Sequence, residues 1–258
     1  MTNNDPIPDL GADLGANLAA IRTRIEAACR SAGRDPSEVR LLPVSKTVDE
    51  ARLRAAYGLG IREMGENKVQ EAQDKWEAMG DLADLRWVLI GHLQTNKAKH
   101  AARFISEFQG LHSTRLAETL DRRLQMEGRA IDVLVQVNTS GEDSKFGLPP
   151  EKVEAFVRTL PAYSSLRVRG LMTLAMFSDD EALVRPCFVR LRELRERLRQ
   201  SAPDGIVMDE LSMGMSGDFE MAIEEGATTV RVGTAIFGAR PTADSEYWPG
   251  FAGKKDDR

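Results

Sequence analysis

Lys46 closes the run Val39-Arg40-Leu41-Leu42-Pro43-Val44-Ser45-Lys46, a short apolar segment that delivers an amine at its carboxyl end. Apolar runs bounded by breakers read as buried strands. A lysine at such a strand end stands at the mouth of a parallel sheet, where α/β folds keep their chemistry. Apolar walls help an amine lose its proton, because desolvation disfavours the ammonium. A neutral amine can attack a carbonyl carbon and form a Schiff base. The competing reading is a lysine that opens a helix in solvent.

Two distant segments carry the complementary signal. Leu211-Ser212-Met213-Gly214-Met215-Ser216-Gly217-Asp218 leaves a strand and opens a helix, with two hydroxyls and two glycines. Backbone amides exposed at a helix start bind phosphate oxygens, and a serine adds a donor. Ser216 would serve equally as an N-cap, and the acidic Asp218 and Glu220 suit an ordinary capped helix. The second segment, Val230-Arg231-Val232-Gly233-Thr234-Ala235-Ile236-Phe237-Gly238, ends a strand in Gly-Thr. A lysine that can meet a carbonyl and a paired phosphate signal together suit a phosphorylated carbonyl compound. Pyridoxal 5′-phosphate carries both groups.

These residues need strand ends to hold them, and the periodicity supplies the strands. A first helix over Leu14–Ala32 carries Leu14, Leu18, Ile21, Ile25 and Ala28 on one stripe and stops at Gly33. Strands are predicted at Val39–Val44, Ile61–Met64, Trp87–Ile90, Gly110–His112, Ile131–Val137, Val168–Leu174, Val207–Leu211 and Thr229–Val232. Helices are predicted at Glu66–Met79, Thr95–Phe104, Arg115–Met126, Glu151–Leu160, Asp180–Gln200 and Gly217–Glu225. Alternation of this kind gives right-handed crossovers and a parallel sheet. Eight units in 258 residues fit a closed (β/α)8 barrel of the TIM type, which needs about 250 residues. An open doubly wound sheet is the runner-up. The expected architecture is one α/β domain over residues 12–240 with an extra N-terminal helix and no C-terminal β domain. Residues 1–11 and 241–258 are expected to be flexible termini.

Composition narrows the partners. Hydrophobic residues make up 42% of the chain, enough for a large core. With 35 basic against 40 acidic residues the net charge is −5, so no basic excess points to nucleic acid. The charged stretch Arg190–Arg199 is interrupted by Leu191, Leu194 and Leu198 at helical spacing and reads as a solvated helix face. Cys29 and Cys187 read as separate reduced thiols rather than a disulfide or metal pair. The first residues lack a signal-peptide pattern, and no stretch has the length of a membrane span. A cytoplasmic protein, without membrane or nucleic-acid partners, is expected.

Seven strings then point to one family. Val44-Ser45-Lys46-Thr47, Gly65-Glu66-Asn67, Ile90-Gly91-His92-Leu93-Gln94-Thr95-Asn96-Lys97, Ser144-Lys145-Phe146-Gly147, Arg169-Gly170-Leu171-Met172, Leu211–Ser216 and Arg231–Gly238 resemble, in order, the pyridoxal phosphate homeostasis proteins, or YggS/PROSC family. The resemblance spans about Leu18 to Arg240. It implies the barrel of the alanine-racemase N-terminal domain, standing alone. It implies pyridoxal phosphate held as a Schiff base on Lys46, the phosphate held by Ser216, Gly233 and Thr234, and Arg231 facing the pyridine nitrogen. The full cofactor-binding set expected is Lys46, Asn67, Ser212, Ser216, Arg231, Gly233 and Thr234, with no metal and no dedicated catalytic residue.

Arg231 bears on mechanism, because a guanidinium only donates and so requires an unprotonated ring nitrogen, a weaker electron sink. Asn67 is expected beside the ring or as the N-cap of the next helix. His92 reads as a hydrogen-bonded structural histidine, and Lys145 as a surface side chain. Two functions of different class follow. One is a vitamin B6 cofactor carrier, expected to be monomeric, that stores, buffers or delivers pyridoxal phosphate to apo enzymes. The other is a pyridoxal-phosphate-dependent amino-acid racemase. The absence of a second domain and of a well-placed tyrosine among Tyr57, Tyr163 and Tyr247 favours the carrier.

Overall fold

The computed structural model describes residues 10–142 and 145–238. Arg240, Tyr247 and the expected C-terminal tail lie outside the described residues. Helix α1 (Leu10–Ser31) comes first. Eight strands follow: β1 (Arg40–Pro43), β2 (Glu63–Glu66), β3 (Arg86–Leu89), β4 (Glu107–Leu111), β5 (Ile131–Gln136), β6 (Leu166–Met172), β7 (Glu210–Ser212) and β8 (Thr229–Val232). The helices after successive strands are α2 (Glu50–Gly58), α3 (Val69–Ala78), α4 (Ala98–Ala101), α5 (Thr114–Met126), α6 (Pro150–Val157), α7 (Glu181–Ser201), α8 (Phe219–Glu224) and α9 (Thr234–Phe237).

The strands pair in parallel in the order β1-β8-β7-β6-β5-β4-β3-β2. The two ends of that order meet where Val44 bridges Gly65 and Ser45 N donates to Gly65 O at 2.9 Å, closing the barrel. Every strand therefore delivers its carboxyl end to one mouth, which is the geometry the sequence predicts.

Strand residues alternate between the two faces of the sheet. Leu42, Val44, Val88 and Ile90 form a small buried cluster from strands β1 and β3, apart from the main core. The main core lies between sheet and helices, and includes Trp87, Phe108, Phe188 and Phe219. All five stripe residues of α1 are buried. That helix packs on α2, α8 and α9. The helix and the turn after it latch α8 and α9: Asn17 Nδ2 donates to Ile236 O at 2.9 Å, Arg34 Nη1 to Ile223 O and Ala227 O at 2.8 Å, and Arg24 pairs with Glu220 at 2.6 Å. The extra helix thus braces the segment that carries the predicted phosphate loops.

Several expectations need correction. Helix α1 starts at Leu10, so the last two residues of the supposed loose N-terminus are helical. Helix α2 was not predicted. It buries only Leu53 and Ala56 and carries no sustained apolar stripe, although Asp49 caps it by accepting from Arg52 N at 2.9 Å. Strand β2 runs two residues later than predicted, and β4 starts earlier, at Glu107. Both strands bury polar side chains, Glu66, Glu107 and Gln109, which a hydrophobic pattern cannot register.

Candidate site at the barrel mouth

Lys46 follows β1 and is only 3% exposed, although its side chain is a cation's. The residues on either side of it are anchored to one buried network. Ser45 Oγ donates to Glu66 Oε1 at 2.6 Å, and Lys75 Nζ donates to Ser45 O at 2.6 Å. Lys75 also meets Glu66 Oε1 and Glu71 Oε1, both at 2.7 Å. Glu71 Oε1 in turn accepts from Thr47 N at 2.5 Å. Thr47 takes a left-handed backbone conformation, with φ of 64°, which a β-branched residue adopts only when its surroundings impose it. The ion-pair cluster between β2 and α3 supplies that imposition and fixes where Lys46 leaves the strand. Glu66 Oε2 has no hydrogen-bond partner among the described residues. Burial lifts the Glu66 carboxyl to about 7, with Lys75 opposing and Glu71 adding to the rise.

The loops after β7 and β8 meet at two hydroxyls. Thr234 Oγ1 lies 3.4 Å from Ser216 Oγ. Ser216 is not a helix cap: α8 begins beyond it, with Asp218 at the N-cap position accepting from Met215 N at 2.5 Å. Gly233 starts the single turn α9, whose last amides bond back to Gly233 O. The first amides of such a turn have no partner within it. Two hydroxyls beside unpartnered amides are a donor set suited to phosphate oxygens.

Arg231 lies on β8, between these loops and Lys46. Its register partner on β1 is Leu42, and Val44 N donates to Val232 O at 2.9 Å, so the strand ends bearing Lys46 and Gly233 run side by side. Arg231 is 3% exposed. Nη1 donates to Ser212 Oγ at 2.7 Å and Nη2 to Thr173 O at 2.8 Å. These two contacts engage both terminal nitrogens, and Nε carries a further N–H. With no carboxylate in contact, desolvation pulls the guanidinium down to about 10, Asp218 opposing from a distance. It therefore stays charged at neutral pH. Ser212 is fully buried and donates to Gln109 Oε1 at 2.6 Å. Its hydroxyl serves Arg231, and it stands apart from the Ser216–Thr234 pair.

Asn67 follows β2 as expected but does not hold the cap position; Lys68 is the N-cap of α3, with no capping bond from its side chain. Its backbone presses against Gly91, where an added Cβ would lie 2.2 Å from Asn67 O, so only glycine lets the two loops touch. His92 differs from expectation. It makes no hydrogen bond among the described residues and instead stacks on Phe146, with ring centroids 4.0 Å apart, while His112 stands 5.3 Å away. Partial burial lowers its pKa, with His112 adding to the effect. Lys145 is no solvent side chain either. It pairs with Glu142 at 2.5 Å and donates to Ala175 O at 2.9 Å, tying the loop after β5 to the loop after β6. The residues that sequence reasoning missed are Glu66, Glu71, Lys75, Thr173 and Gln109. Glu66 stood inside a recognised string; the others carry no local signal.

A buried amine, a hydroxyl pair at the start of a helical turn and a buried guanidinium are groups that suit a phosphorylated aromatic aldehyde. Comparison with known proteins agrees. Residues 16–241 match the model of the alanine racemase N-terminal domain. The chain is 41% identical over 223 residues to the pyridoxal phosphate homeostasis protein of Aquifex aeolicus, covering 86% of this chain and 96% of that one. It is 42% identical to the protein of that name from Pseudomonas aeruginosa, over 88% and 96% of the two chains. Among solved structures, PipY of Synechococcus elongatus with pyridoxal phosphate bound superposes with a TM-score of 0.78 at 36% identity, covering 87% of this chain and all of that one. An alanine racemase from Streptomyces coelicolor, at 20% identity and a TM-score of 0.65, shares the fold and is covered over 59% of its length.

Proposed function

The chain belongs to the family of the alanine racemase N-terminal domain, and from that premise we propose that it binds pyridoxal 5′-phosphate at the barrel mouth and serves in the homeostasis of that cofactor. The observation that carries the reading is the side-by-side placement of buried Lys46 and the Ser216–Thr234 hydroxyl pair on the paired ends of β1 and β8. Relatives matched along nearly their whole length are named for this role.

When bound, the cofactor supplies an aldehyde and an electron-withdrawing ring. Lys46 provides the amine that links covalently to that aldehyde. Ser216, Thr234 and the amides at Gly233 hold the phosphate. Arg231 Nε–H donates to the ring nitrogen, which must then remain unprotonated. Asn67 borders the ring, and Ser212 holds Arg231. The proposed domain is residues 12–240, acting as a monomer that stores, buffers or delivers the cofactor without turnover, with apo enzymes as recipients. A cytoplasmic setting fits the two buried cysteines, which are unpaired. No helix among the described residues is long and apolar enough to cross a membrane.

The test is to incubate the purified protein with pyridoxal phosphate, follow near-visible absorption, reduce with borohydride and locate the adduct by peptide mass spectrometry. The reading requires a reducible adduct on Lys46 that Lys46→Ala abolishes. An adduct retained by that variant would place the covalent partner at another lysine.

A further inference from the structure

Arg231 is a buried cation with no carboxylate touching it, yet a chain of polar contacts joins it to one across the barrel interior. Arg231 Nη1 donates to Ser212 Oγ at 2.7 Å. Ser212 Oγ donates to Gln109 Oε1 at 2.6 Å. Gln109 Nε2 donates to Glu107 Oε1 at 2.6 Å. Glu107 receives both terminal nitrogens of Arg40 at 2.8 Å. Glu107, Gln109, Ser212 and Arg231 are all buried. Four strands contribute: β1, β4, β7 and β8.

The direction of every link is forced. An ionised carboxylate only accepts, so Gln109 must turn its NH2 toward Glu107. Its oxygen then faces Ser212, whose proton must go to that oxygen. Ser212 is left with lone pairs for Arg231, and a guanidinium only donates. Reversing Gln109 would set two acceptors against each other at Glu107 and leave the Ser212 proton without a place. The Glu107 charge therefore fixes the Ser212 hydroxyl, although no atom of Glu107 approaches Arg231 directly.

We propose that Gln109 and Glu107 are positioning residues for Arg231, locking its guanidinium so that Nε–H is held toward the ring nitrogen of the bound cofactor. This rests on the proposed cofactor site for its consequence but not for the lock itself, which is built from the protein's own side chains. The lock gives Glu107 a role beyond the pair with Arg40. It explains why a strand of a hydrophobic barrel buries Glu107 and Gln109 two residues apart, on one face.

Two variants separate the parts. Glu107→Gln keeps the shape but removes the charge that orients Gln109. Gln109→Met removes the relay and leaves the Arg40–Glu107 pair in place. The first readout uses the apo protein. In the 15N-edited signals of the Arg231 guanidinium, assigned by their loss in Arg231→Lys, the Nη1–H that donates to Ser212 should be sharp and slow to exchange in the wild type. Exchange should speed up about tenfold or more in both variants, the scale of losing one hydrogen bond to a charged group. The second readout is the ring-nitrogen shift of 15N-labelled pyridoxal phosphate, which should move toward the protonated value in both variants. Val153→Ala, a core change on α6, serves as the control for general loosening. Fast exchange already in the wild type would overturn the lock, as would variants that match the control. If Glu107→Gln fails to fold, Gln109→Met and the wild-type exchange rate decide alone. A wild type that does not bind the labelled cofactor would refute the binding proposal, while the apo signal would still decide the relay.

Discussion

Lys75 Nζ lies 2.6 Å from Ser45 O, so an amine on α3 grips the residue just before Lys46. The same amine joins Glu66 and Glu71, and Glu71 holds the residue just after. The clamp acts from the outer face of the sheet, while Lys46 shares the inner face with Leu42 and Val44. One cluster thereby fixes the backbone on both sides of the proposed reactive amine without occupying the space in front of it.

Lys75→Met should destabilise the protein by about 1–3 kcal/mol, the cost of leaving buried acceptors without their donor, because Glu66 can take up a proton instead of staying charged. Glu66 is fully buried and would keep only Ser45 as a donor. Urea unfolding measures the loss. A change below about 1 kcal/mol would mean that the clamp carries no stability.

Glu66 also sets a pH dependence. Its carboxyl is raised from an ordinary 4.5 to about 7 in the folded protein. Between these values the folded state holds a proton that the unfolded chain has released. Stability must then fall as pH rises from about 4.5 to about 7, and level off above. Glu66→Gln should remove this slope. Denaturant midpoints of the two proteins across that range make the comparison, and parallel curves would show that Glu66 does not titrate there.

Ser216→Ala combined with Thr234→Ala should weaken retention of pyridoxal phosphate at least about tenfold, since hydrogen bonds to a charged group contribute roughly 1.5–3 kcal/mol each. Both side chains are at least partly exposed, so the fold should be unaffected. Dialysis of the loaded proteins reads the difference. Equal retention would move the phosphate to another part of the mouth.

Gly170→Ala should be among the most damaging single changes. An added Cβ would lie 1.9 Å from Glu210 O, on the neighbouring strand. Gly170 also lies where β6 shifts register against β5, with Val133 facing Val168 and Leu134 facing Gly170. Loss of more than about 3 kcal/mol is expected, as for other severe overpacking. Thermal melts test it.

Amino-acid racemisation should be very weak. Tyr57 stands in the last turn of α2, bonded to Asp84 at 2.5 Å, and Tyr163 just precedes β6. Both lie at the end of the barrel where strands begin, opposite the mouth. Among the described residues no tyrosine reaches the mouth, and a missing acid–base partner costs about 10²–10⁴-fold. Incubation with L-alanine in D2O, following deuterium at Cα and the enantiomer ratio, is the measurement. Multiple turnovers that vanish in Lys46→Ala would make the protein an enzyme.

The sequence by itself determined the beat of strands and helices, because apolar spacing reports which residues must leave water. Strand β8 was predicted to the residue, Thr229–Val232. It also placed Lys46, Gly233 and Thr234 at strand ends, because a parallel barrel leaves chemistry nowhere else. It did not determine which polar residues lie inside. Glu107 and Gln109 fell outside the predicted strand Gly110–His112, since alternation shows that two faces differ but not that a buried face is polar. Lys75 lay inside the predicted helix Glu66–Met79, and its distance from Ser45, 30 positions away in the chain, is set only when α3 packs on β2. The identity of a residue states what it can donate or accept. Which acceptor it finds depends on closure of the barrel, which brings β1 against both β2 and β8 and turns separate strand ends into one site.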